Sequence, residues 1–469
     1  MPYTTQTNEV LIMVLVLAGI AFAALQVTRG RKGAGAAEYF LASRSVGWLA
    51  LAVSLSVTTI WGLWSVFAGM PVSSGLMGWV IPGCAAVVGL VLLGLVFAPL
   101  YRTSNAATIP AFLGERYGRS VGVAVAGVSI AVTLLVRIPF TILIGSRLLN
   151  ALLGWEIMSS ALLMIVVPGL FVIAGGYHAV IATHGAGGIA AGAGVLFLAF
   201  NGFFPTEAML HRAVPEAEGS LVPLVTGVAV VGLWFTCIDQ YVVQRVIAAR
   251  SCAAMRGGAA LAALLVVLGV VAIATGFDTA PAEGAQLIGS SVAAGFVGAA
   301  IVAFGMASLS GLFMSAATVF AMDVFLAGRK RSDEAALVLV GRLANTVIVI
   351  LAIMAASSIA LTGAGSIHWM ARALAIALPP VVAILLLGLV WSRMHGRGAF
   401  WALVIGWGAG VGFSGMSAES MGAMMQGVLL TFALSALVCV GVSLATAPRG
   451  ELGSVMGTIV HEGLQVRKP

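Results

Sequence analysis

Long apolar segments separated by short polar ones run along the whole chain. A run of about 20 apolar residues is long enough to cross the hydrocarbon core of a bilayer as an α-helix. By this criterion the sequence predicts thirteen membrane helices, at residues 9–28, 46–73, 77–100, 120–150, 156–176, 184–204, 221–242, 257–277, 290–325, 340–362, 367–391, 399–414 and 424–446. We therefore expect an all-α polytopic membrane protein.

The second predicted helix has a polar pattern that a lipid-facing helix does not need. Residues 54–71 contain closely spaced hydroxyl side chains followed by Gly62, Gly69 and Pro71. In the bilayer core, backbone groups freed from a helix cost several kcal/mol each unless protein, cavity or ligand satisfies them. The pattern therefore predicts an interrupted helix at a binding site, with Gly62 as the point of interruption.

A second polar stretch, residues 234–244, lies five predicted helices later. Paired interrupted helices at corresponding positions of two repeats are typical of secondary transporters, and an odd number of helices per repeat inverts the second copy. We expect one extra helix with its loop (1–45), two five-helix repeats (46–204 and 205–391), two further helices (392–446) and a tail (447–469).

Composition agrees with a membrane protein and excludes several other classes. The chain is 61% hydrophobic and 8% charged, whereas soluble domains contain about 25% charged residues. Its net charge of +7 is spread among short loops, which does not favour nucleic-acid binding. The four cysteines and six histidines show no metal-ligand spacing, and no nucleophile–base pair is visible, so we expect neither an enzyme nor a cofactor.

The distribution of basic residues predicts the orientation. Nineteen of the 23 Lys and Arg residues, Arg245 among them, fall in one set of loops and in the tail. Basic loops stay in the cytoplasm. The N-terminus is therefore expected outside and the C-terminus inside, in the cell (inner) membrane.

Arg137 is the most informative basic residue inside a predicted helix. It lies next to Ile138 and Pro139 in the fourth helix, without an evident carboxylate partner in the outer half of the bundle. An intramembrane ionisable residue is a functional-site hypothesis, and a guanidinium suits a carboxylate. Arg137 is expected either to bind a substrate anion or to pair with carbonyls or a distant acid. The surplus of arginine favours an organic anion or amino acid over a neutral sugar.

Five motifs resemble the sodium:solute symporter family. They are EYFLASRS (38–45), TIPAFLGERYG (108–118), DQYVVQRVIAARS (239–251), ASLSGLFMSAATVFAMDVF (307–325) and LPPVVAILLLGLVWSRMHGRGA (378–399), in the family's order and spacing. The resemblance implies a LeuT-type 5+5 inverted-repeat core and cation-coupled import of a small solute by alternating access.

The resemblance also implies a sodium site between the second and ninth helices. A hard cation prefers oxygen ligands. The implied ligands are the carbonyls of Thr59, Gly62 and Phe304 and the hydroxyl of Ser308; an alternative register places the first two at Val57 and Ile60. The family has a second hydroxyl where this chain has Ala307.

The expected solute site lies beside the interrupted helix, with the lipid bilayer as surroundings and no obligatory protein partner. Its candidate residues are Thr59, Trp61, Trp64, Arg137, Trp234, Asp239 and Gln240.

The family's TDxxQ stretch reads Thr183, His184 and Gly187 here, so its Asp and Gln are lost. His184 either titrates near neutral pH or is an interface residue. A sodium-independent or proton-coupled carrier therefore stays open as an alternative. A transporter-like sensor also stays open, although residues 447–469 leave no room for a kinase.

Overall fold

The computed structural model describes residues 7–28, 35–68, 75–104, 106–200, 221–276, 291–326, 333–362, 365–416 and 421–446, and these are almost entirely helical. The first half of the chain forms α1 (Thr7–Thr28), α2 (Ala36–Leu41), α3 (Trp48–Ala68), α4 (Gly75–Leu92), α5 (Ala98–Ser104), α6 (Ile109–Tyr117), α7 (Arg119–Val132), α8 (Ile138–Leu153) and α9 (Ile157–Phe200). The second half forms α10 (Leu221–Leu233), α11 (Gln240–Ile247), α12 (Cys252–Gly276), α13 (Ser291–Val319), α14 (Glu334–Thr362), α15 (Gly365–Val390), α16 (Gly396–Met416) and α17 (Met421–Ala445).

The helices have the length and surface of a multi-pass membrane protein. Within the described ranges, nine helical spans are long and apolar enough to cross a bilayer, and 11–27 and 48–63 are shorter apolar helices. Large aliphatic side chains lie on the outside, with Val390 82% and Ile189 77% exposed. Water would not stabilise such a surface, whereas lipid would. The membrane assignment is confirmed, while the number thirteen stays a prediction.

π-helical turns interrupt several of these spans. Leu93–Phe97 joins α4 to α5, Thr133–Arg137 joins α7 to α8, Trp234–Ile238 follows α10, and Phe320–Phe325 follows α13. In a π turn the backbone hydrogen bonds depart from the regular α-helical pattern, and such turns occur frequently at functional sites. Two of them, Thr133–Arg137 and Trp234–Ile238, include candidate solute-site residues.

The predicted interruption at Gly62 is wrong, because α3 is continuous from Trp48 to Ala68. A glycine inside a helix costs only about 1 kcal/mol relative to alanine, far less than freeing backbone groups in a bilayer. Gly69 and Pro71 lie outside the described residues. So do the outer loop at 205–220, expected to be a solvated cap, and the tail at 447–469.

The second polar stretch is interrupted, at Asp239. This residue has extended backbone angles (φ −60°, ψ 123°) between the π turn and α11. Its side chain caps α11 by accepting a hydrogen bond from Tyr241 N at 3.2 Å, and Tyr101 donates to the carbonyl of Cys237 at 2.5 Å. The backbone groups freed at the break are thus partly satisfied by side chains, as a bilayer requires.

Two of the resemblance motifs meet in space. Val46, just after the first motif, donates its N–H to Ala248 O at 3.1 Å and accepts from Arg250 N at 2.9 Å. The segment before α3 is therefore held against the segment after α11. This contact places the residues before the first polar stretch beside the residues after the second.

The predicted helices 156–176 and 184–204 form one segment, α9, with a break at Gly176. Gly176 has φ +57° and ψ −144°, a region that is essentially restricted to glycine. A Cβ atom at this position would also lie 2.5 Å from the carbonyl oxygen of Tyr39. Position 176 therefore requires glycine for both its backbone angles and its packing.

We expect Gly176→Ala to lower the free energy of unfolding by about 1–3 kcal/mol, the cost of a strained backbone. The measurement is the thermal unfolding midpoint of the purified protein in detergent. Gly127→Ala is the matched control, because nothing lies within 4 Å of a Cβ there. Equal midpoints for the two variants would contradict the requirement at Gly176.

Candidate functional site

Arg137 and Asp239 form an ion pair in the centre of the bundle. Arg137 ends the π turn before α8, and Asp239 is the extended residue before α11. Both side chains are largely buried, at 11% and 7% exposed. The Arg137 guanidinium also lies over the rings of Tyr241 and Phe235, at 4.5 and 5.2 Å. Of the alternatives that the sequence left open for Arg137, pairing with a distant acid is the one that the structure has.

Arg245, assigned to a loop by its charge, is a core residue instead. It is 1% exposed, and its guanidinium lies 4.2 Å from the Tyr241 ring. Tyr241 therefore contacts two guanidinium groups. Gly311 of α13 makes room for this arrangement, since a Cβ there would lie 2.6 Å from both Arg245 and Tyr241. The loop assignment failed because the short helix α11 continues the buried bundle beyond the break.

Arg245 of α11 belongs to a buried hydrogen-bond network that joins it to three other helices. Its Nε donates to Ser54 Oγ of α3 at 2.9 Å. Ser54 Oγ lies 2.6 Å from His184 Nδ1 of α9, and His184 Nε2 lies 2.6 Å from the carbonyl oxygen of Ala307 in α13. Both ring nitrogens of His184 are thus engaged within the protein.

The expected cation ligands lie on α3 and α13. Ser308 is 1% exposed, and its hydroxyl has no hydrogen-bond partner among the described residues. A buried, unsatisfied hydroxyl is costly unless a ligand completes its interactions. Thr59 and Gly62 are in the continuous helix α3, so their carbonyls belong to its ladder. Ser308 is therefore the candidate with the clearest need for a ligand.

Trp61 connects these two helices by packing. Its ring is 2% exposed and stacks on Phe304 with centroids 6.4 Å apart. Cβ atoms at Gly145 and Gly305 would lie 3.5 and 3.7 Å from the indole, and both would meet Met164. The two glycines thus form a slot for Trp61. The side chain of Trp64 lies outside the described residues.

Trp234 and Gln240 lie on either side of the break at Asp239. The Trp234 indole N–H is buried without a hydrogen-bond partner in the described part of the chain. Gln240 accepts a hydrogen bond from Ile109 N at 2.9 Å, and its amide nitrogen has no partner among the described residues. Gln240 therefore holds the start of α6, while its amide NH2 group has no partner in the described part of the chain.

The sequence interpretation missed Ser54 and Tyr241 as members of this centre. Ser54 is the first residue of the hydroxyl-rich stretch that the sequence did single out, and Tyr241 lies in the second polar stretch. The signal was present in both cases. What the sequence did not contain was the pairing between positions more than 100 residues apart.

We expect Arg137→Gln to lower the free energy of unfolding by about 3–5 kcal/mol, because it leaves the Asp239 carboxylate buried and unpaired. Asp239→Asn leaves the arginine unpaired in the same way. The double variant Arg137→Gln/Asp239→Asn should recover most of the loss, since two neutral amides replace the ion pair. Chemical unfolding in detergent measures all three, and a double variant as unstable as the sum of the singles would contradict the pairing.

Comparisons with known proteins agree with this architecture. The model of the "Sodium:solute symporter family" matches residues 39–286 and 278–406. Sodium/glucose cotransporter 4 of Danio rerio is 28% identical over 94% of this chain and 78% of its own length. Sodium/glucose cotransporter 1 of Oryctolagus cuniculus is 25% identical over 86% of this chain and 70% of its own. The relatives are sodium-coupled symporters, not enzymes.

Solved structures support the same fold. A substrate-bound, outward-open Na⁺-coupled sialic acid symporter has a TM-score of 0.83 at 16% identity, covering 95% of this chain and 99% of its own. At this identity the likeness concerns the fold alone. Together with the family model, which spans well over half of the sequence, it confirms the resemblance that the five motifs indicated. The chain belongs to the sodium:solute symporter family.

Proposed function

We propose that this protein imports a small, neutral, polyhydroxylated solute, such as a sugar or polyol, coupled to sodium. Family membership supports sodium as the coupling ion. The relatives include cotransporters described as sodium/glucose, sodium/mannose and sodium/myo-inositol. All three solute classes present many hydroxyl groups and no charge.

The ion pair between Arg137 and Asp239 carries the preference for a neutral solute. An anionic solute is favoured only if the arginines lack acidic partners. The Asp239 carboxylate neutralises Arg137 within the protein, so a carboxylate solute would have to displace an existing partner. The buried donors of Trp234 and Gln240 instead suit hydroxyl oxygens.

An organic anion or amino acid is the second candidate, and Arg245 favours it. No carboxylate among the described residues forms an ion pair with Arg245, so two arginines share one acid around Tyr241. This excess positive charge would attract a negative group. The Arg245 guanidinium already donates to Ser54 and packs on Tyr241, which makes an anionic solute the weaker candidate.

The sodium site in this proposal uses the Ser308 hydroxyl with the carbonyls of Phe304, Thr59 and Gly62. A carbonyl oxygen has two lone pairs, so a helix carbonyl accepts its backbone hydrogen bond and still ligates a cation. Ala307 contributes no hydroxyl here. We therefore expect sodium affinity to depend strongly on Ser308.

The topology in this proposal has thirteen helices, with 5+5 inverted repeats at 46–204 and 205–391, flanked by 1–45, 392–446 and 447–469. The N-terminus is outside and the C-terminus cytoplasmic, in the cell membrane. Solute and sodium bind near the midplane, and the two repeats expose them alternately. The loop charges support this orientation, apart from Arg245, which is in the core.

The remaining alternatives differ in coupling. His184 and Ala307 favour a proton-driven carrier or a facilitator, but both ring nitrogens of His184 are hydrogen-bonded within the protein. A transporter-like sensor would bind solute without moving it. Each alternative predicts a different result in a flux experiment.

The experiment is uptake of labelled glucose, mannose, myo-inositol, monocarboxylates and amino acids into proteoliposomes under imposed sodium or proton gradients. We expect a sodium gradient to accumulate a sugar or polyol. Ser308→Ala should raise the sodium concentration for half-maximal uptake about tenfold or abolish uptake, because a buried ligand is lost.

Ser315→Ala is the matched control on α13, because the buried Ser315 hydroxyl donates to Leu312 O of its own helix. If only carboxylates accumulated, the solute would be an anion and the proposal of a neutral solute would be wrong. Proton-driven uptake indifferent to sodium, or solute binding without flux, would overturn sodium-coupled import.

A further inference from the structure

We propose that His184 is a positioning residue for the sodium site. With Ser54 and Arg245 it forms a directional bridge that fixes α3 against α13, the two helices that carry the proposed sodium ligands. This inference rests on the proposed function. It adds a role for a residue that contacts neither the ion nor the solute in that proposal.

The hydrogen-bond directions in the bridge follow from the chemistry of its ends. The Ala307 carbonyl only accepts, so His184 Nε2 carries the hydrogen that is donated to it at 2.6 Å. In the neutral ring Nδ1 is then an acceptor, and Ser54 donates its hydroxyl hydrogen to it at 2.6 Å. Ser54 Oγ in turn accepts from Arg245 Nε at 2.9 Å.

The neutral ring also agrees with the surrounding charges. Arg245 Nη2 lies 3.5 Å from His184 Nδ1, and a second positive charge on the ring would face the guanidinium directly. Each member of the bridge thus has one role as donor or acceptor toward its neighbour. A network satisfied in this way holds its members more rigidly than separate hydrogen bonds would.

Small residues allow α9 to enter the space between α3 and α13. A Cβ at Gly187 would lie 3.2 Å from the carbonyl oxygen of Ala303 in α13, and one at Gly188 would overlap the side chain of Val53 in α3. Thr183 Oγ1 adds a contact with Ser310 Oγ of α13 at 3.1 Å. The face of α9 that carries His184 is therefore shaped for both neighbours.

The bridge lies close to the proposed ligands along both helices. Ala307 directly precedes Ser308 and follows Phe304 by about one turn. Ser54 precedes Thr59 by five residues, about 7.5 Å of helix. Ligands must be held within about 0.5 Å of their working geometry. A shift of α3 relative to α13 would thus weaken sodium binding before it unfolds the protein.

The test compares His184→Leu with His184→Gln. Leucine removes both hydrogen bonds, whereas glutamine keeps an acceptor oxygen and a donor nitrogen on one planar group. Two readouts are the sodium concentration for half-maximal uptake and the sodium-dependent rise in unfolding temperature without solute. We expect His184→Leu to raise the half-maximal sodium concentration about tenfold. For His184→Gln this concentration should stay within about threefold of that of the unaltered protein. The KM for solute at saturating sodium should stay unchanged.

Ser54→Ala tests the same bridge from α3, with an expected rise of about fivefold. Its matched control is Ser146→Ala, because the fully buried Ser146 hydroxyl donates only within its own helix, to Ile142 O at 2.7 Å and Leu143 O at 3.3 Å. Ser146→Ala should leave the sodium dependence unchanged.

Unchanged sodium dependence in His184→Leu, or in Ser54→Ala if the leucine variant does not fold, would overturn the inference. An equal loss in Ser146→Ala would also do so. Failure of the proposed sodium coupling looks different, because the unaltered protein would then show neither sodium-driven uptake nor a sodium-dependent unfolding temperature. Accumulation of carboxylates alone by the unaltered protein would overturn the proposed solute and leave the bridge to be judged by its variants.

Discussion

In the bilayer core, every polar group must find its partner inside the protein, and this constraint organises the centre of the molecule. Arg137 pairs with Asp239, and both contact the segment around the break before α11. Arg245 instead donates to Ser54 and packs on Tyr241. The charge of Arg137 is neutralised by an acid, whereas that of Arg245 is stabilised by a hydroxyl dipole and an aromatic face. Both solutions tie helices together that are distant in sequence.

The same constraint explains which polar atoms point to function. Most buried hydroxyls bond to a carbonyl of their own helix, as Ser315 and Ser146 do. Ser308 does not, although it lies on the same helix as Ser315 and is equally buried. The difference between these two serines of one helix supports Ser308 as a ligand in the proposed sodium site. In the same account the bridge through His184 matters because it holds α13, the helix of Ser308, against α3.

The sequence predicted the elements of the fold well and their interruptions less well. Hydrophobic length alone placed a helix in each predicted segment, because the apolar span is set by the bilayer thickness. The family followed from motifs in order. Two interruptions were predicted. The one at Gly62 is absent, because a glycine alone does not outweigh the backbone ladder in lipid, whereas the second polar stretch is interrupted, at Asp239. Residues 69–74, where the pattern also predicted irregular structure, are outside the described chain.

The roles of charged residues were the hardest to predict. A count of basic residues in predicted loops includes Arg245 as a surface charge, because the end of a buried helix and the start of a loop look alike in sequence. Arg137 lacked a visible partner for a similar reason, since Asp239 lies about 100 residues away and only the packed bundle brings them together. Pairings of this kind depend on tertiary structure. They change the interpretation of the solute from an anion to a neutral molecule.

The central claim is that sodium and solute cross the membrane together. It is tested most directly by uptake of ²²Na⁺ into proteoliposomes with and without a saturating sugar or polyol outside. In coupled import by alternating access, each cycle carries sodium and solute inward together, so the account predicts that the solute accelerates sodium entry. Sodium entry that is the same with and without every solute of this class would contradict it.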